Sequence, residues 1–252
     1  MTTPLDELKA RISTIRDEAA FVNAAASLRP RVNDSINWSA DVNAVSVARS
    51  FMEAKYDNPD GFYAGLFIRS VAAFERFGRQ IIGEFIERKS RSCKKYTDLP
   101  EQIRNQNISL TGEVLKNHLN QRDHVEYDVK RLVLNLAACL KDGEPYSLNR
   151  EVFSNNLTNC KSESWDRVLS AFGLTSWSDS IGSKNEIKKL FETTGTRDTG
   201  KALKEKIDSI IAARNQLVHA GNVEPTITYE ELVCHLNLIE SFCQELFALD
   251  PP

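Results

Sequence analysis

The sequence predicts an all-α protein, an up-and-down helical bundle with an N-terminal helical extension. Apolar residues recur at helical spacing over most of the 252-residue chain, and no segment shows the alternation of apolar and polar residues that is typical of strands. The composition, 41% hydrophobic and 27% charged residues, is that of an ordinary globular protein. We therefore expect one domain over residues 1–252, with a two-domain division near residue 60 as the weaker alternative.

The N-terminal part of the chain is predicted to be a helical extension over residues 1–61. Apolar residues recur every three or four positions in residues 4–27, and Pro30 is expected to end this first helix. A short helical run, Ala44–Tyr56, follows a polar stretch, and Asn58–Gly61 has the residue types of a turn.

The remaining residues, 62–252, form the predicted core of the domain. The segment Phe62–Ser90 is apolar on well over one face, so we expect it to be the central helix with several neighbours. Between and around two short predicted helices, residues 143–200 are polar and irregular, which predicts a surface excursion that is the best candidate for recognising a substrate or partner. The other predicted helices are Val125–Leu140, Trp165–Phe172, Glu186–Phe191, Lys201–His219 and Tyr229–Leu249.

Charge, hydropathy and cysteine usage exclude several classes of protein. A formal net charge of −3 argues against a basic surface that coats nucleic acid, so any such contact must be local. No apolar run approaches the roughly 20 residues that span a bilayer, and the charged N-terminus lacks an apolar signal core, which predicts a cytoplasmic protein with no membrane contact. The five cysteines include no CxxC pair, which favours reduced thiols and no zinc site.

Histidines and tryptophans outside the motif discussed below are interpreted as structural. His118 and His124 are six residues apart, a spacing that does not place two imidazoles together on a helix, so we predict no metal site and no cofactor. His235 lies beside the apolar stripe of the last helix. Three tryptophans could stack on bases, with packing as the favoured interpretation: Trp38, Trp165 and Trp177.

An arginine interrupts the apolar face of the helix Lys201–His219. At 3.6 residues per turn Arg214 falls at the centre of that face, so we expect it to point at another helix. Burying an arginine costs several kcal/mol unless a carboxylate or a phosphate meets it. Glu75 interrupts an apolar face of the central helix in the same way. We predict a Glu75–Arg214 ion pair, which either serves the structure alone or aims the guanidinium at a ligand. The apolar face consists of Leu203, Ile207, Ile210, Ile211, Leu217 and Val218.

Two polar residues follow this arginine on the same helix. Asn215 and His219 are four residues apart and share a face. His219 lies about 140° around the helix from Arg214 and roughly 7.5 Å further along, so these two cannot converge within one regular helix. Convergence requires either an unwound last turn, which Gly221 permits, or a second copy of the helix from another subunit. The geometry favours a site assembled by a dimer.

The motif contains arginine, asparagine and histidine, but no carboxylate dyad, nucleophilic triad or set of metal ligands. This set of side chains suits proton transfer at a phosphate. Histidine titrates near neutrality and transfers protons, and a guanidinium stabilises the charge that develops on a phosphoryl oxygen. This combination fits the cleavage of RNA by its own 2′-hydroxyl, without a metal. DNA lacks that nucleophile and would remain intact.

The residues that carry this pattern resemble a known family. RNQLVHAG, with KIDSIIAA before it and ITYEELVCHLNLIESFCQEL after it, is similar to the HEPN superfamily (higher eukaryotes and prokaryotes nucleotide-binding). The helix FIRSVAAFERFGRQIIGEFIE resembles its RiboL-PSP-type branch, and the similarity covers roughly residues 62–249. The resemblance implies a helical bundle that homodimerises around the motif helices, and a metal-independent endoribonuclease of prokaryotic toxin and antiphage systems. One departure is that Ala220 separates His219 from the glycine that many members have directly after the histidine.

Carried onto this chain, the resemblance implies that Arg214 and His219 are the catalytic pair and that Asn215 is the polar residue after the arginine. His219 would transfer the proton of the 2′-hydroxyl or of the leaving 5′-oxygen, and Arg214 would bind the scissile phosphate. The partners implied are RNA, a second copy of the chain, and an antitoxin or a defence-system protein.

Two other functions compete with the nuclease. In a non-catalytic HEPN-type module that binds a nucleotide or a partner protein, Arg214 is a buried structural cation and His219 a helix cap. The third alternative is a helical interaction protein with no role in nucleic-acid binding.

Overall fold

Helices form all the regular structure that is described. The computed structural model describes residues 2–35, 59–119, 127–141, 145–157, 159–219 and 226–249. These ranges contain ten α-helices, a short 3-10 helix at Tyr96–Asp98 and no strand, which confirms the predicted all-α class. No helix within them has the length and apolarity needed to cross a membrane. The helices are α1 (Pro4–Ser35), α2 (Asp60–Ser92), α3 (Glu101–Leu119), α4 (Val129–Cys139), α5 (Arg150–Asn156), α6 (Ser162–Ser170), α7 (Trp177–Gly182), α8 (Asn185–Leu190), α9 (Thr196–His219) and α10 (Tyr229–Ala248).

The helix α2 is the central element, as its apolar pattern predicts. A helix that is apolar on more than one face needs neighbours on several sides, and α1, α5, α9 and α10 all pack against α2. The helix begins at Asp60, so the second half of the predicted Asn58–Gly61 turn is helical. The buried side chains predicted from the pattern are Tyr63, Leu66, Phe67, Val71, Phe74, Phe77, Ile81 and Phe85.

Aromatic rings join four helices at the centre of the bundle. Phe242 of α10 meets Phe74 of α2, Trp165 of α6 and Trp177 of α7 edge-on, with ring centroids 5.7, 5.8 and 5.8 Å apart. Such pairs contribute roughly 0.5–1.5 kcal/mol each beyond the burial of their area. Trp165 and Trp177 are fully buried, so they pack in the core and are not available to stack on bases. Trp38 lies outside the described residues.

The helix α1 packs onto α2 and α10 and shares one apolar core with them. Arg16 also donates to Asn237 of α10 at 2.8 Å and forms an ion pair with Glu240 at 2.7 Å. The predicted end at Pro30 is wrong, because the backbone stays helical to Ser35. A proline removes one hydrogen bond and makes a helix boundary probable, not certain. The predicted run Ala44–Tyr56 lies outside the described residues. Among the side chains of α1 that are described, the buried apolar ones are Leu8, Ile12, Ile15 and Ala19.

The span 143–200 is largely helical, where the sequence suggested an irregular excursion. Four helices of six to nine residues, α5 to α8, and the start of α9 occupy most of its described part. They belong to the core, since α5 packs against α2 and α7 packs against α9. Helices this short make too few turns for apolar periodicity to reveal them all.

The helix α3 was not predicted from the sequence, because polar residues lie on its buried face. Asn107 and Thr111 are both fully buried. Asn149, which precedes α5, donates from its backbone N to Asn107 Oδ1 at 3.3 Å and from Nδ2 to Thr111 Oγ1 at 3.0 Å. A hydrogen-bonded network satisfies these buried groups, but a search for apolar stripes cannot find it.

Two glycines let α7 and α9 touch through their backbones. A Cβ on Gly182 would lie 2.7 Å from the backbone N of Gly200 and 2.9 Å from the carbonyl O of Thr196. We expect Gly182→Ala to lower the free energy of unfolding by about 1–3 kcal/mol, because backbone atoms cannot move aside as a side chain can.

The matched control for this prediction is Gly112 in α3, where an added Cβ would meet no atom within 4 Å. Gly112→Ala should raise the free energy of unfolding by roughly 0.5–1 kcal/mol, because alanine suits a helix better than glycine. Urea unfolding of the two variants measures the difference. Equal stability of the two would show that α7 and α9 do not approach so closely.

Candidate functional site

An ion pair joins α9 to α2 inside the bundle. Arg214 Nη2 donates a hydrogen bond to Glu75 Oε1. The Arg214 side chain is 24% exposed and that of Glu75 is 16% exposed, so the pair is largely removed from water. The ion pair predicted from the two interrupted apolar faces is therefore present.

The Arg214 guanidinium has N–H donors that the ion pair with Glu75 does not use. It carries five N–H donors in a planar fork, and within the described part of the chain Glu75 is its one hydrogen-bond partner. The exposed quarter of the side chain leaves a route for an anion to reach the other donors. Glu75 thus fixes one side of the guanidinium while the remainder can bind a phosphate or a carboxylate.

The thiol of Cys160 is close enough to this ion pair for the charges of Glu75 and Arg214 to act on it. Burial raises the pKa of the Cys160 thiol, the Glu75 carboxylate adds to that rise, and the guanidiniums of Arg79 and Arg214 act against it. A Cβ on Gly78 would lie 3.1 Å from Cys160 Sγ, so the glycine lets this segment approach α2. The thiol therefore stays protonated and does not act as a nucleophile.

His219 lies on α9, as Arg214 does, but apart from the Glu75–Arg214 pair. The helix α9 remains regular through His219, which is exposed, whereas Asn215 is partly buried. A regular helix sets the imidazole about 140° around the axis from Arg214. The last turn up to His219 is therefore not unwound, and Gly221 lies outside the described residues. Val218, predicted to be part of the apolar face, is 51% exposed, because the face turns away from the core in this last turn.

A family model matches the part of the chain that contains this ion pair and His219. The model of the family RiboL-PSP-HEPN matches residues 47–249, most of the chain. The chain belongs to the RiboL-PSP-HEPN family. The match confirms the resemblance carried by RNQLVHAG and begins fifteen residues earlier than that resemblance, at residue 47 rather than 62. HEPN domains are RNase-like or nucleotide-binding modules. No curated protein and no solved structure matches the chain.

The other described histidines of this HEPN domain lie outside the motif. His235 packs against Phe67 with tilted rings, their centroids 5.0 Å apart, and its buried Nδ1 has no hydrogen-bond partner within the described ranges. Burial lowers the pKa of His235 to about 4, the charge of Lys206 adds to the lowering, and Glu231 opposes it. A histidine that is neutral near pH 7 and packed on a phenylalanine is structural.

His118 is exposed near the end of α3, and its predicted neighbour His124 lies outside the described residues. Among the residues that the structure describes, no group of three or more histidines, cysteines, aspartates or glutamates is placed to hold a metal ion.

Sequence reasoning found Glu75 and Arg214 but missed their two neighbours. Arg79 is four residues after Glu75 on α2, so its place one turn along could have been read from the helix spacing. Cys160 gives no such signal, because it comes from the segment between α5 and α6 and only the fold brings it to α2.

Proposed function

We propose that this HEPN domain is a metal-independent endoribonuclease that cleaves RNA at a site shared by two copies of the chain. One observation carries the proposal: Arg214 turns inward to Glu75, while His219 is exposed at the end of a regular helix. The two side chains of one copy diverge. Both can reach one phosphate only if a second copy supplies one of them, which a two-fold dimer around α9 would do.

Each residue of the motif has a role in this reaction. His219 accepts the proton of the attacking 2′-hydroxyl or donates a proton to the leaving 5′-oxygen, and water takes part in the other proton transfer. A bond forms between O2′ and phosphorus, and the bond from phosphorus to O5′ breaks, which leaves a 2′,3′-cyclic phosphate and a 5′-hydroxyl. Arg214 binds the non-bridging oxygens and stabilises the charge that develops on them. Asn215, on the same face as His219, orients the imidazole or the phosphate.

Glu75 is the positioning residue in this proposal. It occupies Nη2 of Arg214 and so limits the orientations that the guanidinium can adopt. A fixed guanidinium stabilises a transition state better than a mobile one, because no reorganisation is needed when the charge develops.

A biological role as a toxin or antiphage effector extends the same proposal. An enzyme that cuts cellular RNA in the cytoplasm would need an antitoxin or another defence-system protein to restrain it. Expression of the wild-type chain should stop cell growth, whereas expression of His219→Ala should not.

The second candidate function is a non-catalytic HEPN module that binds a nucleotide or a partner protein. The Glu75–Arg214 pair favours it, because a buried arginine that already has a carboxylate partner has a purely structural explanation. Cleavage of RNA separates the two candidates.

The test uses RNA, the same RNA with 2′-O-methyl groups, and DNA of the same sequence, each with EDTA present. We expect the purified protein to cut only the unmodified RNA and to leave cyclic phosphate ends. Intact RNA after incubation with the folded protein would favour the binding module.

A further inference from the structure

A cleft of about 990 Å³ opens between α1, α2 and α5. Three glutamates, Glu7, Glu84 and Glu151, line it together with a larger number of cations. The lining of the cleft therefore has more arginines than glutamates, in a chain whose formal net charge is −3, and this local excess of cations attracts anions. Its cations are Arg11, Arg69, Arg76, Arg79 and Arg150.

Two of these arginines are available to a ligand without any exchange of partners. Within the described ranges, neither Arg11 nor Arg79 has an ion-pair partner. Arg11 is exposed on α1, and Arg79 is partly buried on α2. Arg79 lies one helical turn after Glu75 on α2, so the cleft lies beside the Glu75–Arg214 pair.

The other three arginines are paired with carboxylates near the surface, and one of them, Arg69, is joined to Glu18 by two hydrogen bonds. Arg76 lies 3.4 Å from Glu7, and its side chain is 54% exposed. Pairs this exposed contribute about 0–1 kcal/mol, so a phosphate can replace the carboxylate at little cost. The two remaining pairs are equally exposed: Arg69 with Glu18 and Arg150 with Glu87.

The length of the cleft fits a strand better than a single phosphate. The α2 residues that line it run from Arg69 to Glu84, which is about 20 Å at 1.5 Å per residue. At a stacked spacing of about 3.4 Å this corresponds to on the order of six nucleotides. No aromatic residue is among the described residues that line the cleft, so bases have nothing to stack on and phosphates are the groups recognised.

We propose that this cleft binds the phosphate backbone of a single RNA strand and leads that strand to Arg214. The choice of RNA as the ligand rests on the proposed nuclease function. The phosphate chemistry rests on the arginines of the cleft alone.

The experiment measures binding of a fluorescein-labelled 2′-O-methyl RNA of about ten nucleotides, which the proposed reaction cannot cut. Fluorescence anisotropy is recorded over a range of salt concentrations for the full chain and for Arg11→Gln/Arg79→Gln. The double variant should bind about tenfold or more weakly, and the slope of log affinity against log salt should become shallower by about 1.4, for two lost phosphate contacts.

The matched control is Arg197→Gln, an exposed arginine on α9 that does not line the cleft, which should bind as the wild type does. Arg11→Gln alone, at an exposed position, should still reduce the slope by about 0.7 and protects the test against misfolding of the double variant.

The cleft proposal would be overturned if the double variant kept the wild-type affinity and salt slope, or if Arg197→Gln lost as much affinity as the double variant. Failure of the wild type to bind the RNA would also overturn it. If the arginines of the cleft control binding but the wild type leaves unmodified RNA uncut, the cleft proposal stands and the nuclease fails.

Discussion

Arg214→Ala and His219→Ala should each lower the rate of RNA cleavage by about 10²–10⁴-fold. Loss of His219 removes the group that transfers the proton, and loss of Arg214 removes the cation that stabilises the pentavalent phosphorus. Single-turnover cleavage of a labelled RNA, with enzyme in excess, measures the chemical step without a contribution from product release. Because the residues act as a unit, the double variant should be little slower than either single variant.

Folding must be separated from chemistry in this comparison. His219 is exposed, so His219→Ala should change the free energy of unfolding by less than about 0.5 kcal/mol. The matched controls are His118→Ala and Arg197→Ala, which alter exposed residues outside the motif and should retain full activity. Full activity in His219→Ala would remove this histidine from the mechanism.

Glu75→Gln should reduce both stability and activity, because it leaves the Arg214 guanidinium without a charged partner. Removing one member of a buried pair costs about 3–5 kcal/mol. We expect about 2–3 kcal/mol here, because water still reaches part of both side chains. Cleavage should slow by roughly 10–100-fold through kcat, with a smaller change in KM, since Glu75 acts on the orientation of Arg214 and not on RNA itself.

Two further variants distinguish positioning from a purely structural role of Glu75. Glu75→Asp keeps the charge and should restore part of the activity. Glu75→Gln/Arg214→Gln removes both charges and should be more stable than the sum of the single changes predicts, because the two residues are coupled. If Glu75→Gln were less stable but cut RNA at the wild-type rate, the ion pair would serve the fold alone.

The long, strongly apolar helices could be predicted from the sequence, and so could the ion pair. The segment around Phe74 is apolar on several faces, and all of these faces are buried only if the helix lies at the centre of the bundle. Glu75 and Arg214 each interrupt an apolar face. When two opposite charges are both buried, each needs the other as its ion-pair partner. Helical geometry alone also predicts that the side chains of Arg214 and His219 diverge.

Other features depend on contacts that no local pattern contains. The helix α3 buries Asn107 and Thr111 through hydrogen bonds to Asn149, which follows 38 residues after Thr111 in the chain. Pro30 lies within α1, although a proline is a common signal for the end of a helix. The cleft gathers its arginines from three separate helices, so their common location appears only after folding.

The central claim is that Arg214 of one copy works with His219 of another, and mixing two inactive variants tests it most directly. Arg214→Ala and His219→Ala chains are unfolded together, refolded at equal concentration and assayed for RNA cleavage. Half of the randomly formed dimers contain one chain of each kind, and each of these holds one intact site out of two. The mixture should therefore recover about a quarter of wild-type activity, although each variant alone is inactive. A mixture as inactive as its components would mean that the two side chains do not act across two copies.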